Sequence, residues 1–84
     1  MDKLSDLPNV GVVLEERLIQ IGIRTPKELI RVGSREAFLR IKAIDEGACF
    51  HMLCALEGAV KNIRKYDLSQ EEKKELSEFF KGLK

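Results

Sequence analysis

The sequence predicts an all-α protein, in which residues 1–84 form one domain built from five helices. No segment alternates apolar and polar residues with a period of two, whereas apolar residues recur at helical spacing along the chain. Two segments that begin at Thr25 and Ser69 have a glutamate three positions later, a pattern that caps the start of a helix. Residues 48–60 are apolar on nearly every side, which predicts a central helix that is surrounded by the others.

The first helix is predicted to follow the turn Leu7-Pro8-Asn9-Val10-Gly11 and to end at Gly22. Its apolar stripe consists of Val10, Leu14, Leu18 and Ile21. A turn that opens directly into a helix leaves several backbone N–H groups unpaired, where the helix dipole also favours negative charge. The amides of residues 9–13 are therefore predicted to be able to hold a phosphate.

The second and third helices are predicted to be short and to meet near Gly33. Thr25 is expected to cap the second helix, with a proline at its first position and Glu28 reaching back to the cap. Ser34 is expected to cap the third helix. The buried face of the third helix is predicted to consist of Ala37, Phe38 and Ile41.

The fourth helix is predicted to be capped by Asp45 and to run to about Lys65. Glu57 has Lys61 four positions later, which is the favourable orientation for an ion pair. Gly58 costs about 1 kcal/mol relative to alanine within a helix, so it suggests that another helix approaches closely there.

The fifth helix is predicted to start at Ser69 and to pack on the core. Its apolar stripe consists of Leu76, Phe79, Phe80 and Leu83, which recur at helical spacing. This segment is therefore expected to be part of the domain and not a free tail.

Size and composition argue against several classes of protein. A chain of 84 residues forms one small core and is too short for a deep catalytic cleft between lobes, which disfavours an enzyme and a small-molecule substrate. The sequence has no apolar run long enough to span a bilayer and no signal sequence, so we expect a soluble, cytoplasmic protein without a membrane partner.

The cysteines and the single histidine do not form a recognisable metal site. On one helix, Cys49 and His51 point about 200° apart and Cys49 and Cys54 about 140° apart, so they cannot converge on one ion. The Cα atoms of the two cysteines are expected to lie roughly 8 Å apart, beyond disulfide reach. We therefore expect reduced thiols, no metal and no cofactor.

The basic residues are concentrated in one part of a nearly neutral chain. The net charge is +1, but residues 24–42 contain six basic and two acidic side chains. Such a patch can steer an anionic partner. The same charges are also typical of the solvated faces of short helices, and this alternative stays open.

Two short segments resemble known motifs. The turn Leu7-Pro8-Asn9-Val10-Gly11 resembles the helix-hairpin-helix DNA-binding motif, which usually has a glycine in place of Asn9. Residues 18–29 resemble a step found in helix-hairpin-helix and RNA polymerase α C-terminal domains.

Read as a whole, the chain resembles the C-terminal domain of the TfoX family, which is named for regulators of DNA uptake and natural transformation in bacteria. The matching motifs are Asp6-Leu7-Pro8-Asn9-Val10-Gly11, Leu18-Ile19-Gln20-Ile21-Gly22-Ile23-Arg24-Thr25, Leu29, Val32-Gly33, Glu36-Ala37-Phe38-Leu39-Arg40, Met52-Leu53-Cys54-Ala55-Leu56-Glu57-Gly58-Ala59, Glu75-Leu76 and Phe79-Phe80. The resemblance implies an all-α fold of helix-hairpin-helix character, SAM-like or polymerase-like, that occurs alone or behind an N-terminal domain. Because one module accounts for the chain, we expect that N-terminal domain to be absent.

Two classes of function remain, and both are non-enzymatic. The favoured class is a regulatory or interaction module, in which exposed Val12 and Val13 contact another protein or a second copy of the chain. The alternative is weak, sequence-independent binding to the DNA backbone, which Glu15 and Glu16 would oppose. The candidate contact residues for either class are Pro8, Asn9, Val10, Gly11, Val12, Val13, Arg24, Lys27 and Arg31.

Overall fold

The computed structural model describes residues 3–83 and confirms the all-helical fold. It has five α-helices and two short 3-10 helices, and no strand occurs within that range. The elements, in order, are a 3-10 helix at Leu4–Asp6, α1 at Val12–Gln20, α2 at Pro26–Val32, α3 at Ser34–Ile44, α4 at Phe50–Lys61, a second 3-10 helix at Lys65–Asp67 and α5 at Gln70–Lys81. None of the helices described is both long and apolar enough to cross a lipid bilayer.

The central position of α4 is confirmed. Every residue from 53 to 59 is buried, and α2, α3 and α5 all pack against this helix. From α3, Phe38 is fully buried, and its ring centroid lies 5.9 Å from that of Phe80 on α5. Phe80 also packs edge-on against Phe50, with the two ring centroids 5.6 Å apart. The three rings therefore join the last helix to the core, as its apolar stripe predicts.

The bounds predicted for the fourth helix are wrong at both ends. Its N-cap is Cys49, while the Asp45 carboxylate accepts a hydrogen bond from the Gly47 amide at 2.9 Å and one from Arg17 Nε at 3.1 Å. These two partners hold the pKa of Asp45 below its usual value. At the other end, Asn62 adopts a left-handed conformation with φ 61°, which stops the helix before Lys65.

Ser34 is not the cap of α3, as the sequence suggests. Gly33 is both the C-cap of α2 and the N-cap of α3, and its φ of 89° is a conformation that favours glycine. Ser34 is consequently the first residue of α3 and is buried, and its hydroxyl donates to the Glu57 carboxylate. The serine therefore serves a contact between helices, which its local sequence does not reveal.

The caps of α2 and α5 are confirmed, with one difference. Thr25 Oγ1 accepts from the Glu28 amide at 3.2 Å, but the Glu28 carboxylate reaches the Arg24 amide at 3.3 Å instead of the amide of Thr25. At α5 the exchange is reciprocal: Ser69 Oγ accepts from the Glu72 amide at 3.1 Å, and the Ser69 amide donates to Glu72 at 2.9 Å. Both helices therefore start where the sequence predicts.

Candidate functional site

The turn before α1 is anchored by the side chain of Asn9. Its amide nitrogen donates to the carbonyl oxygens of Ile63 at 3.0 Å and Ala55 at 3.3 Å, and its carbonyl oxygen accepts from the Lys65 amide at 2.9 Å. Asn9 has a φ of 69°, a conformation that asparagine tolerates better than most other residues. Asn9 thus combines a left-handed backbone with three hydrogen bonds to α4 and the chain that follows it.

Gly58 makes room for this anchor. A Cβ atom added to Gly58 would collide with Asn9 Nδ2 and would lie 2.7 Å from the carbonyl oxygen of Ile63. The prediction of a close approach at Gly58 is right, but the neighbours are a turn and the chain that leaves α4, not another helix. The sequence signals the crowding at this position without identifying its source.

The residues around the start of α1 differ in exposure. Val10 is buried and Pro8 is half-buried, whereas Gly11, Val12 and Val13 are exposed. The exposed fractions of Val12 and Val13 are 73% and 61%, and among the large apolar residues of 3–83 only Tyr66, at 78%, is more exposed. The Glu15 carboxylate accepts a hydrogen bond from the Ser5 amide at 3.3 Å, which places a negative charge beside the turn. That charge would weaken phosphate binding by the neighbouring amides.

The basic candidates lie along α2 and just before it. Arg24, Lys27 and Arg31 are exposed, and within residues 3–83 none of them is within 4.0 Å of a carboxylate oxygen. Lys27 and Arg31 share a shallow hollow of about 390 Å³ with Thr25 and Glu28. The structure thus brings two of the three predicted basic residues together on one surface.

A larger apolar cleft, which the sequence does not indicate, adjoins this hollow. It has a volume of about 600 Å³ and lies where the turn before α1, the start of α2 and the end of α4 meet. The residues that line it are Leu7, Thr25, Pro26, Lys27, Ile30, Ala59, Val60 and Asn62. Ile30 is 53% exposed. An apolar residue on the exposed face of α2 is a sign of this surface that a helical wheel of the sequence could have shown.

Charged and polar side chains connect α3, α4 and α5. Lys61 Nζ lies 3.1 Å from the Glu57 carboxylate, as predicted, and also contacts Glu72. Burial opposes the ionisation of Glu57, but hydrogen bonds from Ser34 and Lys61 outweigh it and hold the pKa of Glu57 below its usual value. Hydrogen bonds from Lys61 and Ser69 lower the pKa of Glu72 to about 2. The contacts give these four side chains a structural role, because they link α4 to α3 and to α5. The side chains are Ser34, Glu57, Lys61 and Glu72.

The cysteines are both free, with Cys49 exposed and Cys54 buried. Burial raises the pKa of the Cys54 thiol above its usual value, so it stays protonated at neutral pH. Within residues 3–83, no group of three or more His, Cys, Asp or Glu side chains is placed to hold a metal ion.

Comparison with known proteins identifies relatives of this domain. The chain is 33% identical over 76 residues to the DNA transformation protein TfoX of Haemophilus influenzae, covering 90% of this chain and 35% of that protein. It is 30% identical over 82 residues to the protein Sxy of Escherichia coli, covering 98% of this chain and 39% of that protein. The chain thus spans between a third and two fifths of the length of these curated relatives.

Two crystal structures of Listeria monocytogenes proteins without a known function have the same fold. Each is 53% identical to this chain and covers 96% of it, with TM-scores of 0.95 and 0.94. The matches cover 92% and 99% of those two chains. A family model described as the TfoX C-terminal domain matches residues 1–80. This chain therefore belongs to the TfoX C-terminal domain family.

Proposed function

We propose that the domain is a non-enzymatic regulatory module that acts through protein contacts in the control of bacterial DNA transformation. The biological context is supported by the curated relatives, one of which is named a DNA transformation protein. The mode of action is supported by the surface of the domain. We take the site of action to be the cytoplasm, where a regulator of DNA uptake would meet its partners.

The observation that most favours a protein partner is the exposure of Val12 and Val13 at a rigid turn. Asn9 fixes the backbone that leads into α1, so the two valines are held in place before any partner arrives. Exposed apolar side chains at a fixed position are typical of protein interfaces, because binding then costs little ordering entropy. A phosphate would meet the same valines and the carboxylate of Glu15.

Replacing Val12 with aspartate tests this proposal. Val12 is the first residue of α1, where the helix dipole favours a negative charge, so V12D should fold as stably as the parent protein. We expect V12D to reduce transformation frequency at least tenfold in cells that lack the parent gene and express the variant at equal level. The matched control is I19D, which alters another exposed residue of the same helix. Full activity of V12D would contradict the proposal.

The partner is either a different protein or a second copy of this chain. Sedimentation velocity over a range of concentrations distinguishes the two, because a homodimer dissociates on dilution. If Val12 lies in a homodimer interface, V12D sediments as a monomer under conditions in which the parent is a dimer. A monomeric parent assigns the exposed valines to a different protein.

Weak binding to the DNA backbone is the second candidate, because Arg24, Lys27 and Arg31 are exposed and none of them pairs with a carboxylate of residues 3–83. Such binding would have a Kd of about 10⁻⁴–10⁻⁶ M and would weaken linearly with salt on logarithmic axes. Fluorescence anisotropy with a mixed-sequence duplex measures both properties. The R24E/K27E variant should lose this binding, whereas K73E/K74E on α5, with the same change in net charge, should keep most of it. Equal binding by R24E/K27E and the parent would exclude this candidate.

A further inference from the structure

We propose that the cleft between α2 and the end of α4 is a docking groove for an acidic amphipathic helix of a partner protein. This inference rests on the proposed protein-contact function and adds the chemistry of the partner. It concerns a surface apart from Val12 and Val13, so the two proposals can fail independently.

The shape of the cleft suits a polypeptide segment. Its walls include the apolar side chains of Leu7, Pro26 and Val60, and Ile30 projects into solvent at its edge. The cleft continues into the shallow hollow beside it, because Thr25 and Lys27 line both. Together they form one depression that follows α2 as far as Arg31, a distance of about 9 Å at 1.5 Å per residue. A depression of this length can accommodate nearly two turns of a bound helix.

The charge at the edge of the cleft selects an acidic partner. Lys27 and Arg31 are four residues apart on α2, so they lie on one face and point toward the same side of a bound segment. Neither forms an ion pair within the part of the chain that is described. Glu28, the carboxylate that lines the hollow, is hydrogen-bonded to the Arg24 amide and to the Thr25 hydroxyl at the start of α2. Two cations therefore remain available for carboxylates of a partner.

The apolar walls favour a protein helix over other occupants. A nucleic acid backbone laid along Lys27 and Arg31 would place its phosphates against Ile30, and none of the described residues that line the cleft is aromatic, so a base has no ring to stack on. Pairing with an extended peptide strand requires a sheet edge, which residues 3–83 do not contain. A helix with apolar residues on one face and carboxylates beside them matches both the walls and the edge.

Selection from a phage library of random peptides, long enough for three helical turns, tests the proposal on the full chain. We expect enriched peptides to have apolar residues at positions i, i+3 or i+4, and i+7, with aspartate or glutamate beside them. I30E and K27E should each bind a selected peptide at least tenfold more weakly. The controls are I44E, whose parent side chain is 55% exposed against 53% for Ile30, and K74E on α5. Both controls should bind within twofold of the parent.

A second measurement does not depend on substitutions. Titration of the parent protein with a selected peptide should shift the backbone amide resonances of Ile30, Val60 and Asn62 and leave those of Val12 and Val13 in place. Equal binding by I30E, enriched peptides without acidic residues, or the absence of any enrichment would overturn the proposal. Decanoate that shifts the same resonances and displaces the peptide would assign the cleft to a fatty acid instead. None of these results alters the test of V12D, which measures a different surface in cells.

Discussion

Replacing Asn9 with glycine should lower the free energy of unfolding by about 1.5–4 kcal/mol. Glycine adopts the φ of 69° at this position without strain, so the change removes the side chain and leaves the turn geometry intact. The side chain makes three hydrogen bonds with the end of α4 and the chain that follows. Each contributes about 0.5–1.5 kcal/mol net, and water entering the gap would recover part of the sum.

Two further variants separate the hydrogen bonds from the backbone conformation. Asn9→Ala should be less stable than Asn9→Gly by about 1–2 kcal/mol, because alanine pays the penalty of the left-handed region. The matched control is Asn62→Gly, since Asn62 has a similar φ of 61° but is exposed. Within residues 3–83, the side chain of Asn62 forms no hydrogen bond with another side chain or with the backbone outside its helix. The control should therefore change stability by less than about 0.5 kcal/mol.

Urea unfolding followed by circular dichroism measures these differences at neutral pH. A midpoint for Asn9→Gly equal to that of the parent would refute the claim that Asn9 anchors the turn. A double-mutant cycle with Gly58→Ala gives an independent check, because the added Cβ would collide with the Asn9 amide. The cost of Gly58→Ala should fall when Asn9 is glycine, although it should not vanish, since the Ile63 carbonyl oxygen stays close.

Three other predictions concern the core, a cap and the pH dependence of folding. Leu56 is fully buried on α4, so Leu56→Ala should destabilise the domain by about 2–5 kcal/mol, and an unchanged thermal midpoint would contradict its place in the core. Thr25→Ala should cost about 0.5–2 kcal/mol in urea unfolding, because the Glu28 amide loses its acceptor; a variant as stable as the parent would mean that this cap contributes nothing. The pKa of Glu72 is lowered to about 2 from 4.5, so its ionised form stabilises the fold above pH 4.5, and that contribution is lost as the pH falls toward 2. Urea midpoints between pH 2 and pH 6 should therefore rise with pH less steeply in Glu72→Gln than in the parent, and identical slopes would refute this assignment.

Features that depend on a few consecutive residues could be predicted from the sequence. The caps at Thr25 and Ser69 are formed with partners three residues away, so the pattern is visible in the chain. The central helix could be recognised because a segment that is apolar all round has no face for solvent. The exposure of Val12 and Val13 follows from their position outside the stripe of α1.

Features that depend on distant partners could not be predicted. Asp45 resembles a cap in the sequence, but its carboxylate accepts a hydrogen bond from Arg17, which lies 28 residues earlier. Ser34 likewise resembles a cap, while its hydroxyl is bound by Glu57, 23 residues later. The cleft beside α2 is lined by three separate segments, so no single stretch of sequence indicates it. Of the described residues that line it, Lys27 alone is among the contact residues predicted from the sequence.

The anchor formed by Asn9 also bears on the order in which the chain folds. Its partners lie 46 to 56 residues away, so the entropy of closing this long loop must be overcome before the hydrogen bonds form. Contacts between neighbouring helices such as α2 and α3 close much shorter loops and can form earlier. The amide of Lys65 is bonded to Asn9 and lies at the start of a 3-10 helix, where no helical partner protects it. Its rate of hydrogen exchange thus reports the opening and closing of this one contact, separately from the unfolding of the helices.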